Sequence, residues 1–126
     1  MTALRIFVVE DHPDTLEYLI LYLESLGHTV CHASTVEGAL EEIPHAACDL
    51  LLSDVGLNDG TGWDLLTRLK ERHLPHPGIA IAMSGYGRLA DRERSAAAGF
   101  RHHLVKPFDA DRLDTLLEEA AAVGRH

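Results

Sequence analysis

Five short apolar runs, each followed by a longer stretch of helical spacing, constrain this chain more than any other feature. The runs are Leu4–Val9, His28–Ala33, Leu50–Ser53, Ile79–Met83 and His102–Val105. Several are rich in Val and Ile and nearly continuous in apolar residues, as strands covered on both faces are. Between them, Leu16, Leu19, Ile20, Leu23 and Leu26 fall at i, i+3, i+4, i+7 and i+10. Leu113, Leu116, Leu117 and Ala120 repeat that spacing, so each segment carries one apolar stripe. The punctuation agrees. Pro13 suits a first helical turn, and Gly27 suits a helix end. Ser34-x-x-Glu37 has the spacing of a capping box for the second helix. Asn58-Asp59-Gly60 is a turn cluster before a third helix expected from Gly62 to His73. Pro75 and Pro77 separate that helix from the fourth strand. Arg88–Ala98 reads as the fourth helix, closed by Gly99, and Asp109 or Asp111 starts the last.

Strands alternating with helices at this spacing predict an α/β fold with a parallel sheet and helices on both faces. The sequence shows no Gly/Ser-rich linker, repeat or low-complexity tract, so residues 1–126 are expected to form one domain. In such sheets functional groups gather at the carboxyl ends of the strands.

Composition narrows the classes of partner. A chain 46% hydrophobic and 25% charged is not disordered. With 20 acidic against 11 basic residues the net charge is −9, which disfavours nucleic-acid backbones and anionic membrane surfaces as partners. No apolar run approaches the roughly 18 residues of a spanning helix. Residues Met1 to Arg5 lack the pattern of a signal peptide. Cys31 and Cys48 have no CxxC spacing and are expected to be reduced, so a cytoplasmic location is expected.

The strand ends carry the chemistry. The first ends in Glu10-Asp11, the third in Asp54, the fourth in Ser84-Gly85 and the fifth in Lys106-Pro107. Two carboxylates about 4 Å apart repel by about 1 kcal/mol in bulk water and about 4 kcal/mol at an effective dielectric of 20. Such a cluster expects a cation, and oxygen ligands suit Mg²⁺. A lysine opposite supplies a point charge for a phosphoryl oxygen, and a serine hydroxyl supplies one more hydrogen bond. Around an Asp carboxylate, a known nucleophile, these groups make a site for phosphoryl transfer.

Together, Phe7-Val-Val-Glu-Asp11, Leu51-Leu-Ser-Asp-Val-Gly-Leu57, Ile81-Ala-Met-Ser-Gly-Tyr-Gly87 and Ala98-Gly-Phe100 through His103-Leu-Val-Lys-Pro-Phe108 resemble the receiver domain of two-component response regulators, including receivers fused to hybrid sensor histidine kinases. The ordered set spans essentially the whole chain. The resemblance implies a flavodoxin-like (βα)5 fold with strand order 2-1-3-4-5. It implies that Asp54 is the phosphoacceptor and that Asp11 and Asp54 bind Mg²⁺ directly, with Glu10 acting mostly through water. The Gly56 backbone carbonyl would complete the metal shell. Lys106 would pair with the phosphoryl group, Ser84 would hydrogen-bond it and shift on activation, and Pro107 would follow a cis peptide bond. The implied phosphodonor is a sensor histidine kinase or a histidine phosphotransfer domain. The implied output is a protein partner on the face formed by the fourth helix, fifth strand and fifth helix.

Departures from the family pattern are also visible. Three residues before the lysine the family usually has Tyr or Phe, and here stands His103, smaller, polar and of a type that titrates near neutral pH. Gly56 offers no side chain to screen the site, whereas Tyr86 is bulky. Other readings compete. Gly85-x-Gly87-x-x-Ala90 fits a relaxed dinucleotide fingerprint, but in the fourth βα unit rather than the first. His28 and His32 are expected on one face of a strand, and His102 and His103 on opposite faces. No histidine set offers a convincing metal shell, and scattered surface histidines are the plainer expectation. Trp63 reads as packing, and Arg88–Arg94 as a solvated helix face or part of a partner surface. Two other function classes compete: a small Mg²⁺-dependent phosphatase that works through an aspartyl phosphate, and a pseudo-receiver, a binding module on the same fold. Such phosphatases usually carry a second Asp two residues after the nucleophile, where this chain has Gly56. The complete acid cluster with Lys106 argues against the pseudo-receiver.

Overall fold

The structure, a computed structural model, describes residues 3–85, 88–107 and 109–123, with Val123 described by its backbone alone. In chain order the elements are β1 (Arg5–Val9), α1 (Pro13–Ser25), β2 (Thr29–Ala33), α2 (Val36–Ala46), β3 (Leu50–Asp54), β4 (Gly56–Leu57), β5 (Gly60–Thr61), α3 (Gly62–Glu71), β6 (Ile79–Ser84), α4 (Leu89–Ala98), β7 (His102–Val105) and α5 (Ala110–Val123). Five strands form one parallel sheet in the order β2-β1-β3-β6-β7, the expected 2-1-3-4-5 order once the short β4–β5 hairpin is set aside. The hairpin pairs Gly56 with Thr61 and Leu57 with Gly60, around the predicted Asn58-Asp59 turn.

Side chains alternate across the pleat, so each central strand feeds two cores. Ile6, Val8, Leu50, Leu52, Ile81 and Met83 pack with Leu19 and Leu23 of α1 and Leu113, Leu116 and Leu117 of α5. Phe7, Val9, Leu51, Ala80 and Ala82 pack on the other face with α2 and α3 and with Trp63 and Phe100. This two-sided burial is why the sheet runs read as continuously apolar.

The helix ends differ from the sequence expectation in instructive ways. The capping box is not used. Thr35, not Ser34, caps α2 by accepting the Gly38 N–H at 3.0 Å. The remaining first-turn donors, Val36 and Glu37 N–H, go to the Asp59 carboxylate at 2.8 and 3.1 Å. The hairpin turn thus brings a charged acceptor to a helix N-terminus, where the dipole favours it. These two bonds hold the Asp59 carboxyl below its ordinary range. Helix α3 stops at Glu71 because His73 adopts a left-handed φ of 53°, with His73 N–H bonded to the Lys70 carbonyl and Leu74 N–H to that of Leu69. Helix α5 begins at Ala110, and Asp109 accepts the Arg112 N–H at 2.8 Å. His28 precedes β2 rather than lying on it with His32. It is buried, and its Nδ1 accepts the Leu4 N–H at 3.0 Å. Cys31 and Cys48 are both free thiols.

Candidate functional site

The parallel register aligns the strand ends on one edge. Val9 lies beside Ser53, Asp54 beside Met83, and Ser84 beside Val105. Glu10 continues from β1, its N–H bonded to the Ala33 carbonyl at 3.2 Å, and its side chain is fully buried. Asp11 N–H donates to the Glu10 carboxylate at 3.1 Å. Asp54 closes β3, followed by Val55, whose N–H bonds the Met83 carbonyl and whose carbonyl accepts from Gly62. A Cβ at Gly62 would stand 2.5 Å from the Asp54 carbonyl oxygen, so only glycine lets the start of α3 approach here. Sequence reading treated Gly62 merely as a helix start. Lys106 follows β7, its N–H held by the Ser84 carbonyl at 2.6 Å, and the Lys106–Pro107 peptide is cis.

These placements bring one ammonium against the acids. Lys106 Nζ donates to Glu10 Oε1 and, at 3.1 Å, to Asp54 Oδ2. Oxygens of Glu10, Asp11 and Asp54 lie within 4.8 Å of one another. The Gly56 N–H lies 3.4 Å from Asp54 Oδ1, and nothing stands within 4 Å of where a Gly56 Cβ would be. Burial, with the neighbouring Asp54 carboxylate, pushes the Glu10 carboxyl up to about 7 against the pull of Lys106. Burial acts to lower Lys106, but Glu10 and Asp54 outweigh it and its pKa is raised. The ammonium therefore stays charged, bonded to two of the three acids. The donor set is chemically suited to Mg²⁺, a hard cation that prefers oxygen ligands.

A second polar cluster begins at Ser84. Its hydroxyl lies 2.8 Å from His103 Nε2, and His103 Nδ1 lies 2.9 Å from the Ser95 hydroxyl on α4. Trp63 Nε1–H donates to the same Ser95 oxygen at 2.8 Å. Trp63 is packed, as expected, but it is also a donor. Arg94 is not simply solvated, since its guanidinium stacks 4.3 Å from the Trp63 ring centroid. The expectation of scattered surface histidines fails here too, because His103 is half-buried and bonded at both nitrogens. His102 points the other way and pairs with Glu119 on α5. Nothing in the sequence marks Ser95. Tyr86, Gly87 and Phe108 lie outside the described residues, and with them part of the fingerprint-like glycine segment.

Comparison with known proteins decides the family. The model of the response regulator receiver domain matches residues 6–118. The chain belongs to the response regulator receiver domain family. It is 33% identical over 119 residues to an uncharacterized 14.6 kDa protein of Leptolyngbya boryana, covering 94% of this chain and 91% of that protein. It is 33% identical over 121 residues to the response regulator protein PilR of Pseudomonas aeruginosa, covering 95% of this chain but only 26% of PilR. The solved receiver domain protein (CheY-like) of Methanospirillum hungatei superposes with a TM-score of 0.84 at 28% identity, covering 98% of both chains. A receiver domain is a signalling domain of two-component systems rather than a conventional enzyme. Among the described residues no helix is long and apolar enough to cross a membrane.

Proposed function

We propose that this receiver accepts a phosphoryl group on Asp54 from a phosphohistidine of a sensor histidine kinase or histidine phosphotransfer domain, and that Mg²⁺ is required. The observation that carries the reading is Lys106 Nζ bonded to both Glu10 and Asp54 beside Asp11. Receiver domains generally bind Mg²⁺ at such an acidic pocket. Here Asp11, Asp54 and the Gly56 carbonyl would hold the ion, with Glu10 acting mostly through water. When bound, it would neutralise charge on the transferring group. An Asp54 oxygen attacks phosphorus, the P–N bond breaks, and the donor imidazole leaves with the electron pair. Lys106 is placed to follow Asp54 onto the phosphoryl oxygens, and Ser84, on the neighbouring strand, supplies a hydroxyl.

The surroundings support donor and output surfaces. An apolar hollow of about 410 Å³, lined by Thr15, Tyr18, Leu19, Lys106 and Pro107, opens beside the lysine. Tyr18, which lines it, and Leu21 of the same helix are exposed, suiting a donor helix. The face made by α4, β7 and α5 carries a groove with Arg92, His103 and Arg112, which suits a downstream protein partner. Residues 1–126 act as one domain in the cytoplasm on this reading.

Incubation with acetyl phosphate and Mg²⁺, followed by intact-mass measurement, tests it. One phosphoryl group is expected in the wild type and none in Asp54→Asn. Label that persists in Asp54→Asn, or that maps to serine, overturns the assignment.

A further inference from the structure

We propose that Trp63 and Ser95 are positioning residues for the Ser84 hydroxyl, acting through His103, so that loading of Asp54 is reported at the Trp63 indole. The inference rests on the phosphoacceptor reading and adds to it a route that the acid cluster does not contain.

Hydrogen-bond accounting gives the route a direction. An indole N–H can only donate, so the Ser95 oxygen accepts from Trp63. A neutral imidazole has one donor and one acceptor nitrogen, so the two ends of His103 are tied together. In one arrangement Ser95 donates to Nδ1, and Nε2–H donates to Ser84 Oγ. In the reverse arrangement Nδ1–H donates to Ser95, and Ser84 donates to Nε2. The reverse arrangement gives the Ser95 oxygen two donors and leaves its own proton to find another acceptor. Ser95 is only 1% exposed, and Trp63 and His103 are its partners among the described residues. A buried hydroxyl proton without an acceptor is unfavourable. The first arrangement therefore wins: Trp63 to Ser95, Ser95 to His103, His103 to Ser84.

That direction matters at the rim. A Ser84 oxygen that accepts from His103 is held at 2.8 Å from the ring, on the strand that neighbours Asp54. Any movement of Ser84 toward the phosphoryl group stretches a bond to a ring held on both sides, and the strain passes to Ser95. Ser95 is also the one buried residue of α4, so the relay includes that helix's buried side chain. Arg94 stacked on the indole ties the same helix to α3 by a second contact. The residues are 32, 8 and 19 positions apart along the chain, so the fold alone assembles the relay.

Trp63 is the only tryptophan, so its emission reads one end of the relay without ambiguity. The experiment uses the full chain at saturating Mg²⁺, adds acetyl phosphate, and records intact mass and tryptophan emission on the same sample. The wild type is expected to shift its emission in step with the mass gain. Ser95→Ala and His103→Phe are expected to gain the mass with the emission change lost, and Ser95→Thr to keep it. His103→Phe carries the test if Ser95→Ala does not fold. A full emission change in Ser95→Ala or His103→Phe overturns the inference. So does a wild type that gains the mass with unchanged emission, which leaves the phosphoacceptor reading standing. A wild type that gains no mass overturns that reading and this inference with it.

Discussion

Two polar clusters meet at the carboxyl edge of the same sheet, one charged and one neutral. At the rim, Glu10, Asp11 and Asp54 face the single ammonium of Lys106. One strand further, Ser84, His103, Ser95 and Trp63 connect through neutral donors and acceptors at 2.8 to 2.9 Å. Buried charge is costly unless paired, whereas buried neutral groups need only be satisfied. Among the described residues the rim sets three carboxyl groups against one ammonium, while Ser84, His103, Ser95 and Trp63 bond to one another. The difference separates their tasks: the rim can take up a charged group, and the relay can hold a geometry.

The largest expected effect that tests this contrast is at Lys106. Lys106→Ala leaves a fully buried Glu10 without its cation and is expected to cost roughly 3 kcal/mol in Mg²⁺-free buffer, near the low end for breaking a buried pair. Ser95→Ala, which leaves the Trp63 N–H unpaired, should cost only about 1 kcal/mol. Urea titrations of both variants would break the comparison if the order were reversed.

Next in size is the response to Mg²⁺ itself. At a concentration 100 times the dissociation constant, a ligand that binds only the native state adds about 2.7 kcal/mol. A rise in thermal midpoint is expected in the wild type and in Ser95→Ala alike, and a much smaller one in Asp11→Asn. An unchanged midpoint across millimolar Mg²⁺ would mean that the rim is not a cation site.

The pH response follows from Glu10. Its carboxyl rises from 4.5 to about 7 on folding, so between those values the native state holds more protons than the unfolded state. Stability in Mg²⁺-free buffer should then be fullest below pH 4.5 as far as Glu10 is concerned. It should decline as pH rises toward 7, by at most about 1.4 kcal/mol per pH unit for one proton. Glu10→Gln should flatten that slope in denaturation measured across pH, and a slope unchanged by the substitution would assign it elsewhere.

Smallest is the relief of repulsion. Asp11→Asn removes one charge from the cluster and should raise Mg²⁺-free stability by about 1 kcal/mol or less. A loss of stability would show that Asp11 is compensated locally and that the rim is less strained than its charges imply.

Much of this was legible in the chain. Each rim residue sits at or directly after a strand end, so finding the strands located the acids and Lys106 without any knowledge of their contacts. The helix stripes were equally readable, because a period of 3.6 is written into neighbouring residues. The caps were less so. Ser34 and Thr35 are both capable acceptors, and Asp59 reaches the Val36 and Glu37 N–H groups only because the β4–β5 turn carries it to the helix. His28 and His103 looked like surface histidines because a histidine's surroundings have no local signature.

By itself, then, the sequence determined the alternation of strands and helices, the edge on which chemistry collects and the charge that accumulates there. These follow from periodicity and covalent neighbourhood, which act over a few residues. Only the tertiary structure decided which partners those groups take. It set Lys106 between Glu10 and Asp54, brought Gly62 against the Asp54 carbonyl, and joined Ser84 to Trp63 through His103 and Ser95. A hydrogen bond selects its partner within about 3 Å, and for residues far apart in the chain that distance is set by packing alone.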